Sequence, residues 1–244
     1  MKLKNYLVVG GSSGIGLSVT KKLIGDGNLV IVASSNEKKL CKVKEDLGSQ
    51  VLTVQCNLEN LGEIENIFNF VKDENIVLDG MVYCAGISPL CLLKDNTSEL
   101  MEKVYHINLF SFIECARHYY DESISKEGSA IVAIASITAH TSGYRQILYG
   151  SSKAAMVSAC KLMAKELLNR KIRINCISPG VSATDMLVGL YENVNDMDGK
   201  IRKNQPLGII QPESIAEIVK TLLSPTGQYI TGTEIIYDGG FLLG

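Results

Sequence analysis

Short apolar runs alternate along the chain with longer segments of helical period. Leu7–Val9, Leu29–Ala33, Val51–Gln55, Gly80–Tyr83, Ala130–Ala135, Arg173–Ile177 and Glu234–Tyr237 are rich in β-branched residues and apolar at successive positions. Such runs suit strands buried on both faces, as in a parallel sheet covered by helices. The clearest helix is Pro212–Leu223, where Ile215, Ile218, Val219 and Leu222 follow the i, i+3, i+4, i+7 spacing. Pro212 and Glu213 suit its first turn. The βαβα order predicts a doubly wound α/β fold. No Pro/Ser-rich or charge-dense linker divides residues 1–244, so a single domain is expected. Asp185–Gln205 is the least periodic stretch, with the best claim to be a mobile substrate loop.

Composition narrows the function classes. The balance of 24 Lys+Arg against 26 Asp+Glu gives a net charge of −2, and neither half carries a basic block. Nucleic acid therefore has no electrostatic footprint here. No apolar stretch approaches the roughly 20 residues of a membrane span. Two lysines open the chain, but the apolar run behind them breaks at Gly10-Gly11, so a first strand is expected rather than a signal peptide. The seven cysteines (41, 56, 84, 91, 115, 160 and 176) form no CxxC pair and have no histidine cluster beside them. Reduced, mostly buried thiols in a cytoplasmic protein, with no metal site, are the expectation.

Two features carry chemistry. Gly10-Gly11-Ser12-Ser13-Gly14-Ile15-Gly16 follows the first strand and opens a helical segment. Glycine there permits positive φ or close approach of a phosphate, and a helix N-terminus offers N–H groups to a pyrophosphate. A tight βα turn without a ligand is the plain alternative. Tyr149 and Lys153 lie four apart in a helical segment, on one face, one turn from each other. A phenol with a pKa near 10 is a poor base at neutral pH, and moving it to about 7 takes roughly 3 units, or about 4 kcal/mol. A nearby ammonium pulls that way, and a cationic cofactor ring is a natural second contributor. Ser136 follows the strand Ala130–Ala135, in the region where open α/β sheets bind ligands, and precedes Tyr149 by thirteen residues.

With Ala85-Gly86, Asn108, Pro179-Gly180 with Thr184, and the ending Tyr229-Ile230-Thr231-Gly232 … Asp238-Gly239-Gly240, these motifs make the chain resemble the short-chain dehydrogenase/reductase family over nearly its full length. The resemblance implies a Rossmann-type three-layer fold with a mostly parallel seven-stranded sheet. It implies an oxidoreductase that interconverts a carbonyl and a secondary alcohol. Tyr149 would be its general acid/base. Lys153 would lower the tyrosine pKa and hold the nicotinamide ribose. Ser136 would hold the carbonyl oxygen. Asn108 would hold a water that relays protons toward Lys153. Gly10, Ser12, Ser13, Gly14, Ile15 and Gly16 would bind the pyrophosphate. The cofactor would also meet Ser34, Ser35, Asn36, Asn57, Leu58, Ala85 and Gly86. Pro179, Gly180, Val181 and Thr184 would border the nicotinamide. The family pattern is broken at Val9, Tyr83-Cys84 and Asn57, which removes two side-chain hydrogen bonds from the sheet centre but no catalytic group.

The second strand ends without the carboxylate that NAD enzymes place against the ribose 2′-OH, since Ser34 stands there. NADP(H) is thus favoured over NAD(H), although no arginine occupies Ser13 or Ser35 and the nearest cations are Lys38 and Lys39. Ser88–Leu92, Ile137–Tyr144 and Asp185–Tyr191 are expected to wall the substrate pocket, with Leu90, Leu92, Met186, Leu187, Leu190 and Tyr191 giving it apolar character. His140 and Tyr144 are further candidates for polar contact.

A narrower reading is reduction of 3-oxoacyl groups on an acidic carrier protein. It calls for a basic patch, for which Lys126, Arg170, Lys171 and Arg173 are candidates, offset by Asp121, Glu122 and Glu127. A reading of another class, a dinucleotide-binding sensor or scaffold without turnover, would suit a broken catalytic set, and this set is complete. The resemblance also implies a homodimer or homotetramer paired through Leu100–Tyr119 and Tyr149–Leu168. Burial against the sheet explains part of the same apolar pattern.

Overall fold

The computed structural model describes residues 3–187 and 197–243. Its strands are β1 (Asn5–Val9), β2 (Leu29–Ser34), β3 (Val51–Gln55), β4 (Leu78–Tyr83), β5 (Ser125–Ile134), β6 (Arg173–Pro179) and β7 (Glu234–Tyr237). They form one seven-stranded sheet in the order β3-β2-β1-β4-β5-β6-β7, and every pairing is parallel. The direction of winding reverses between β1 and β4. A crevice opens at such a switch point, outside the carboxyl ends of the strands.

Side chains alternate across the sheet and feed a core on each face. Leu7 and Val9 of β1 belong to one core, Tyr6 and Val8 to the other. The first core is covered by α3 (Ile64–Asp73), α4 (Ser98–Tyr105), α5 (Ser111–Tyr119) and α6 (Ile147–Leu167); the second by α1 (Gly14–Gly25), α2 (Glu37–Leu47) and α8 (Pro212–Leu223). Helix α8 has the bounds its periodicity predicts, with Ile215, Val219 and Leu222 buried.

Three segments differ from the sequence expectation. β5 begins earlier, at Ser125, because the polar Ser125-Lys126-Glu127-Gly128 pairs with β4 through a register shift that an apolar run cannot reveal. The helix expected over 100–119 is split by a π turn at His106–Phe110. Part of the expected loop is helix: α7 (Met197–Asn204) has no apolar stripe, but Ile201 is buried and Asp198 pairs with Arg202 one turn on at 2.6 Å. Leu190 and Tyr191 lie outside the described residues.

Candidate active site

The chain leaves β1 at Gly10 with φ +81°, and a β-carbon there would sit 2.7 Å from the Ala85 nitrogen. At Gly16 a β-carbon would sit 2.2 Å from the Gly10 carbonyl oxygen. Both positions therefore require glycine. Ser13 is extended and no side chain caps α1, which leaves the helix's first N–H groups to the crevice. From behind, the Thr20 hydroxyl donates to the Gly16 carbonyl at 2.9 Å. The Ser12 hydroxyl donates to Ser34 Oγ at 2.8 Å, tying the loop to the end of β2.

A cleft of about 830 Å³ runs from this loop across the carboxyl ends of the strands. Gly10, Ser12, Ser13, Gly14, Ile15, Gly16, Ser34, Ser35, Asn57, Leu58, Ala85 and Gly86 line it, together with Ser136, Tyr149, Lys153, Pro179, Gly180, Val181 and Thr184. Asn36 and Asn108 stand outside that lining. Asn36 is exposed and caps α2, accepting the Lys39 N–H at 3.0 Å. Asn57 Oδ1 accepts the Glu59 N–H at 3.1 Å.

Ser136, Tyr149 and Lys153 converge where β5 meets α6. The strand delivers Ser136, whose Oγ accepts the Thr138 N–H at 3.2 Å. Tyr149 lies in the first turn of α6 and Lys153 in the second, its Nζ 5.8 Å from the centre of the tyrosine ring. Lys153 is buried, and its ammonium donates to the Ile134 carbonyl at 2.8 Å. Burial pulls its pKa from 10.5 down to about 8. Burial pushes the Tyr149 phenol up, and the Ser136 hydroxyl, bonded to it, pulls the other way. The downward pull expected from Lys153 thus comes from Ser136 in this structure.

Asn108 sits in the π turn, fully buried. Its Oδ1 accepts the Ile87 N–H at 2.9 Å, and its Nδ2 donates to the Ile87 carbonyl at 3.0 Å and to Ser152 Oγ at 2.9 Å. Ser152 in turn donates to the Tyr149 carbonyl at 2.8 Å. Where the resemblance implies a water ligand, the amide clasps the loop after β4 and links it to the backbone of Tyr149. Tyr83, one of the departures from the family pattern, donates from its hydroxyl to the Ile107 carbonyl at 2.5 Å, joining β4 to the π turn.

Gln205 makes a matching clasp across the cleft and escaped the sequence reading. Its Oε1 accepts the Val181 N–H at 2.8 Å, and its Nε2 donates to the carbonyls of Val181 at 3.0 Å and Gly208 at 2.6 Å. It is fully buried. A lone glutamine in an aperiodic stretch offers no signal of this. Lys203 and Asn204, from the stretch expected to be the substrate loop, also line the cleft, as do Gln146 and Phe241, which no sequence expectation covered.

Of the expected substrate walls, Ser88, Ile137, Thr138, Thr141, Ser142, Gly143, Asp185, Met186 and Leu187 line the cleft. Leu92 and Tyr144 line a neighbouring cavity instead. His140 turns away to Glu234, at 2.6 Å from its carboxylate. The basic patch is misplaced for a carrier. Arg173 opens β6, Lys126 lies near the start of β5, and Arg170 and Lys171 adjoin them, at the end of the sheet opposite the cleft. Lys126 pairs with Asp79, Lys171 with Glu127, and Arg173 donates to the Gly227 carbonyl. Among the described residues no group of three or more His, Cys, Asp or Glu is placed to hold a metal. No described helix is long and apolar enough to cross a membrane.

Residues 9–242 match a family model described as enoyl-(acyl carrier protein) reductase. The chain is 34% identical over 237 residues to carbonyl reductase family member 4 of Xenopus laevis, covering 97% of each. It is 30% identical to the 3-oxoacyl-(acyl-carrier-protein) reductase FabG of Chlamydia pneumoniae, covering 97% of this chain and 96% of that one. Among solved structures, 4-hydroxyisoleucine dehydrogenase complexed with NADH superposes with a TM-score of 0.91 at 28% identity, covering 99% of each chain.

Proposed function

This chain belongs to the short-chain dehydrogenase/reductase family, oxidoreductases that bind NAD(H) or NADP(H), and we propose that it interconverts a carbonyl compound and a secondary alcohol with Tyr149 as general acid/base. The convergence of Ser136, Tyr149 and Lys153 beside the glycine loop, in one cleft, carries the reading.

The cradle fits a dinucleotide: the glycines keep β-carbons out of the loop, and the first N–H groups of α1 are uncapped. Gly10 to Gly16 would hold the pyrophosphate, Asn57 and Leu58 the adenosine end, and Pro179, Gly180, Val181 and Thr184 the nicotinamide end. Hydride transfer is the chemistry that a bound nicotinamide supplies. In the reducing direction Tyr149 gives its hydroxyl proton to the carbonyl oxygen, which Ser136 holds by a second hydrogen bond. The phenolate left behind is stabilised by the Ser136 hydroxyl, and Lys153 braces the helix beneath Tyr149 through the Ile134 carbonyl. In the oxidising direction the same phenolate takes the alcohol proton. Asn108 acts through structure, fixing the backbone on which Tyr149 stands.

NADP(H) is proposed over NAD(H). Supporting this, Ser34 and Ser35 line the cleft where a carboxylate would repel a 2′-phosphate. A homodimer or homotetramer in the cytoplasm completes the proposal. Phe110, Ile113, Ile147 and Leu162 are exposed apolar residues on the π turn, α5 and α6, and all seven cysteines are free thiols. Fluorescence titration with NADPH and NADH, followed by a ketone and alcohol panel with both, tests the reading. Binding of neither cofactor, or binding without turnover on any member, would overturn it.

A further inference from the structure

Arg145 has φ +64°, in the left-handed region that residues with a β-carbon seldom occupy. Two other described non-glycine residues share that region and have ordinary reasons. Asn75 follows the end of α3, and Lys171 closes the turn after α6. Arg145 ends no helix. It lies in the loop between Ser136 and Tyr149.

Its conformation produces two bonds to another loop. The Arg145 carbonyl accepts the Cys91 N–H at 2.9 Å, and its Nη2 donates to the Leu90 carbonyl at 3.1 Å. The segment after β4 is thereby tied to the segment after β5. Among the hydroxyl residues that these segments bring to the cleft are Ser88 from the first and Thr138 from the second. Both hydroxyl oxygens are buried and have no protein partner. A buried hydroxyl without a partner is unfavourable, and a ligand that supplies one relieves the penalty. A second cavity of about 630 Å³ lies beside this wall, sharing Thr138 and Gln146 with the cleft and also lined by Arg145, Leu92 and Leu93.

We propose that Arg145 is a positioning residue for the carbonyl substrate, locking the two loops so that the hydroxyls of Ser88 and Thr138 meet a second hydrogen-bonding group on it. The substrate class is then a carbonyl compound with another polar oxygen or nitrogen close to the reacting carbon. This rests on the oxidoreductase reading of the cleft. Arg145 touches no reacting atom and works through the loops. Its loss raises KM and leaves kcat almost in place.

Arg145→Gly and Arg145→Lys separate this from a structural role. Glycine adopts the same backbone freely, so Arg145→Gly is expected to unfold at the same denaturant concentration or higher and to bind NADPH as the parent does. Its amide hydrogens in 88–92 should exchange faster. Its KM for ethyl acetoacetate, which has an ester carbonyl beside the ketone, should rise about tenfold, with kcat within about threefold. The KM for 2-hexanone, which has no second polar group, should not move. Arg145→Lys can still donate to the Leu90 carbonyl and should recover part of the loss. Unchanged exchange in 88–92, an unchanged KM for ethyl acetoacetate, equal rises for both ketones, or a clear loss of stability in Arg145→Gly would each overturn the proposal. A parent chain that binds neither cofactor or reduces neither ketone defeats the underlying reading instead, before any variant is compared.

Discussion

Lys153 holds its ammonium 2.8 Å from the carbonyl oxygen of Ile134, anchoring the second turn of α6 to the last residue of β5. The bond fixes the helix that carries Tyr149, but it does not fully offset the cost of enclosing a cation. The folded protein holds this proton with a pKa of about 8, against 10.5 for the free side chain.

That difference makes a stability prediction. Below pH 8 the folded state must keep the charge in its interior and bears the whole cost. Between pH 8 and 10.5 the unfolded chain binds the extra proton, so this contribution to stability rises with pH, and above 10.5 the cost is gone. Lys153→Met should therefore be more stable than the parent near neutrality, by up to about 3 kcal/mol. The gap should close as pH climbs through that window. Urea unfolding of both proteins at stepped pH checks it, and a gap independent of pH would contradict the burial argument.

Gly16→Ala tests the cradle. The new methyl group would lie 2.2 Å from the Gly10 carbonyl oxygen, and backbone cannot give way as a side chain can. A loss of about 1–3 kcal/mol in stability is expected, with NADPH affinity reduced at least about tenfold, as judged by fluorescence titration. Unaltered affinity would remove the glycine loop from the proposed site.

Much of this arrangement was legible in the sequence. The seven strands needed only apolar runs, because a parallel sheet buried on both faces leaves no polar alternation to interpret. The glycine loop and Ser136 stand out by their place after a strand, and Tyr149 and Lys153 by their separation of four on a helical segment and by the family resemblance. What escaped is local hydrogen bonding without a periodic signature. Asn108 was identified, yet its amide clasps Ile87 and Ser152, and spacing alone does not show where a buried amide points. Gln205 and the polar helix α7 before it were concealed for the same reason, since one buried isoleucine and one ion pair make no stripe. The basic residues 126, 170, 171 and 173 clustered in sequence but mark the wrong end of the sheet.

Gln205→Leu should show how much the clasp matters. It leaves the Val181 N–H and the Gly208 carbonyl without their partner, while the Val181 carbonyl keeps the Ile210 N–H at 3.0 Å. A loss of about 3 kcal/mol is expected, since unpaired buried polar groups cost about 1–3 kcal/mol each and relax in part. NADPH should bind more weakly, because Val181 lines the cleft. A variant with parental stability and affinity would show that this loop needs no support from Gln205.

In the proposed mechanism the Tyr149 hydroxyl moves the proton. Tyr149→Phe removes that oxygen and leaves the ring, the glycine loop and the Lys153–Ile134 bond in place. Single-turnover reduction of a ketone by bound NADPH is the measurement. Tyr149→Phe is expected to bind NADPH within about twofold of the parent and to carry out the chemical step about a thousandfold more slowly. A Tyr149→Phe enzyme that binds NADPH and reduces the ketone within about tenfold of the parental rate would contradict that mechanism, because the proton would then come from another group.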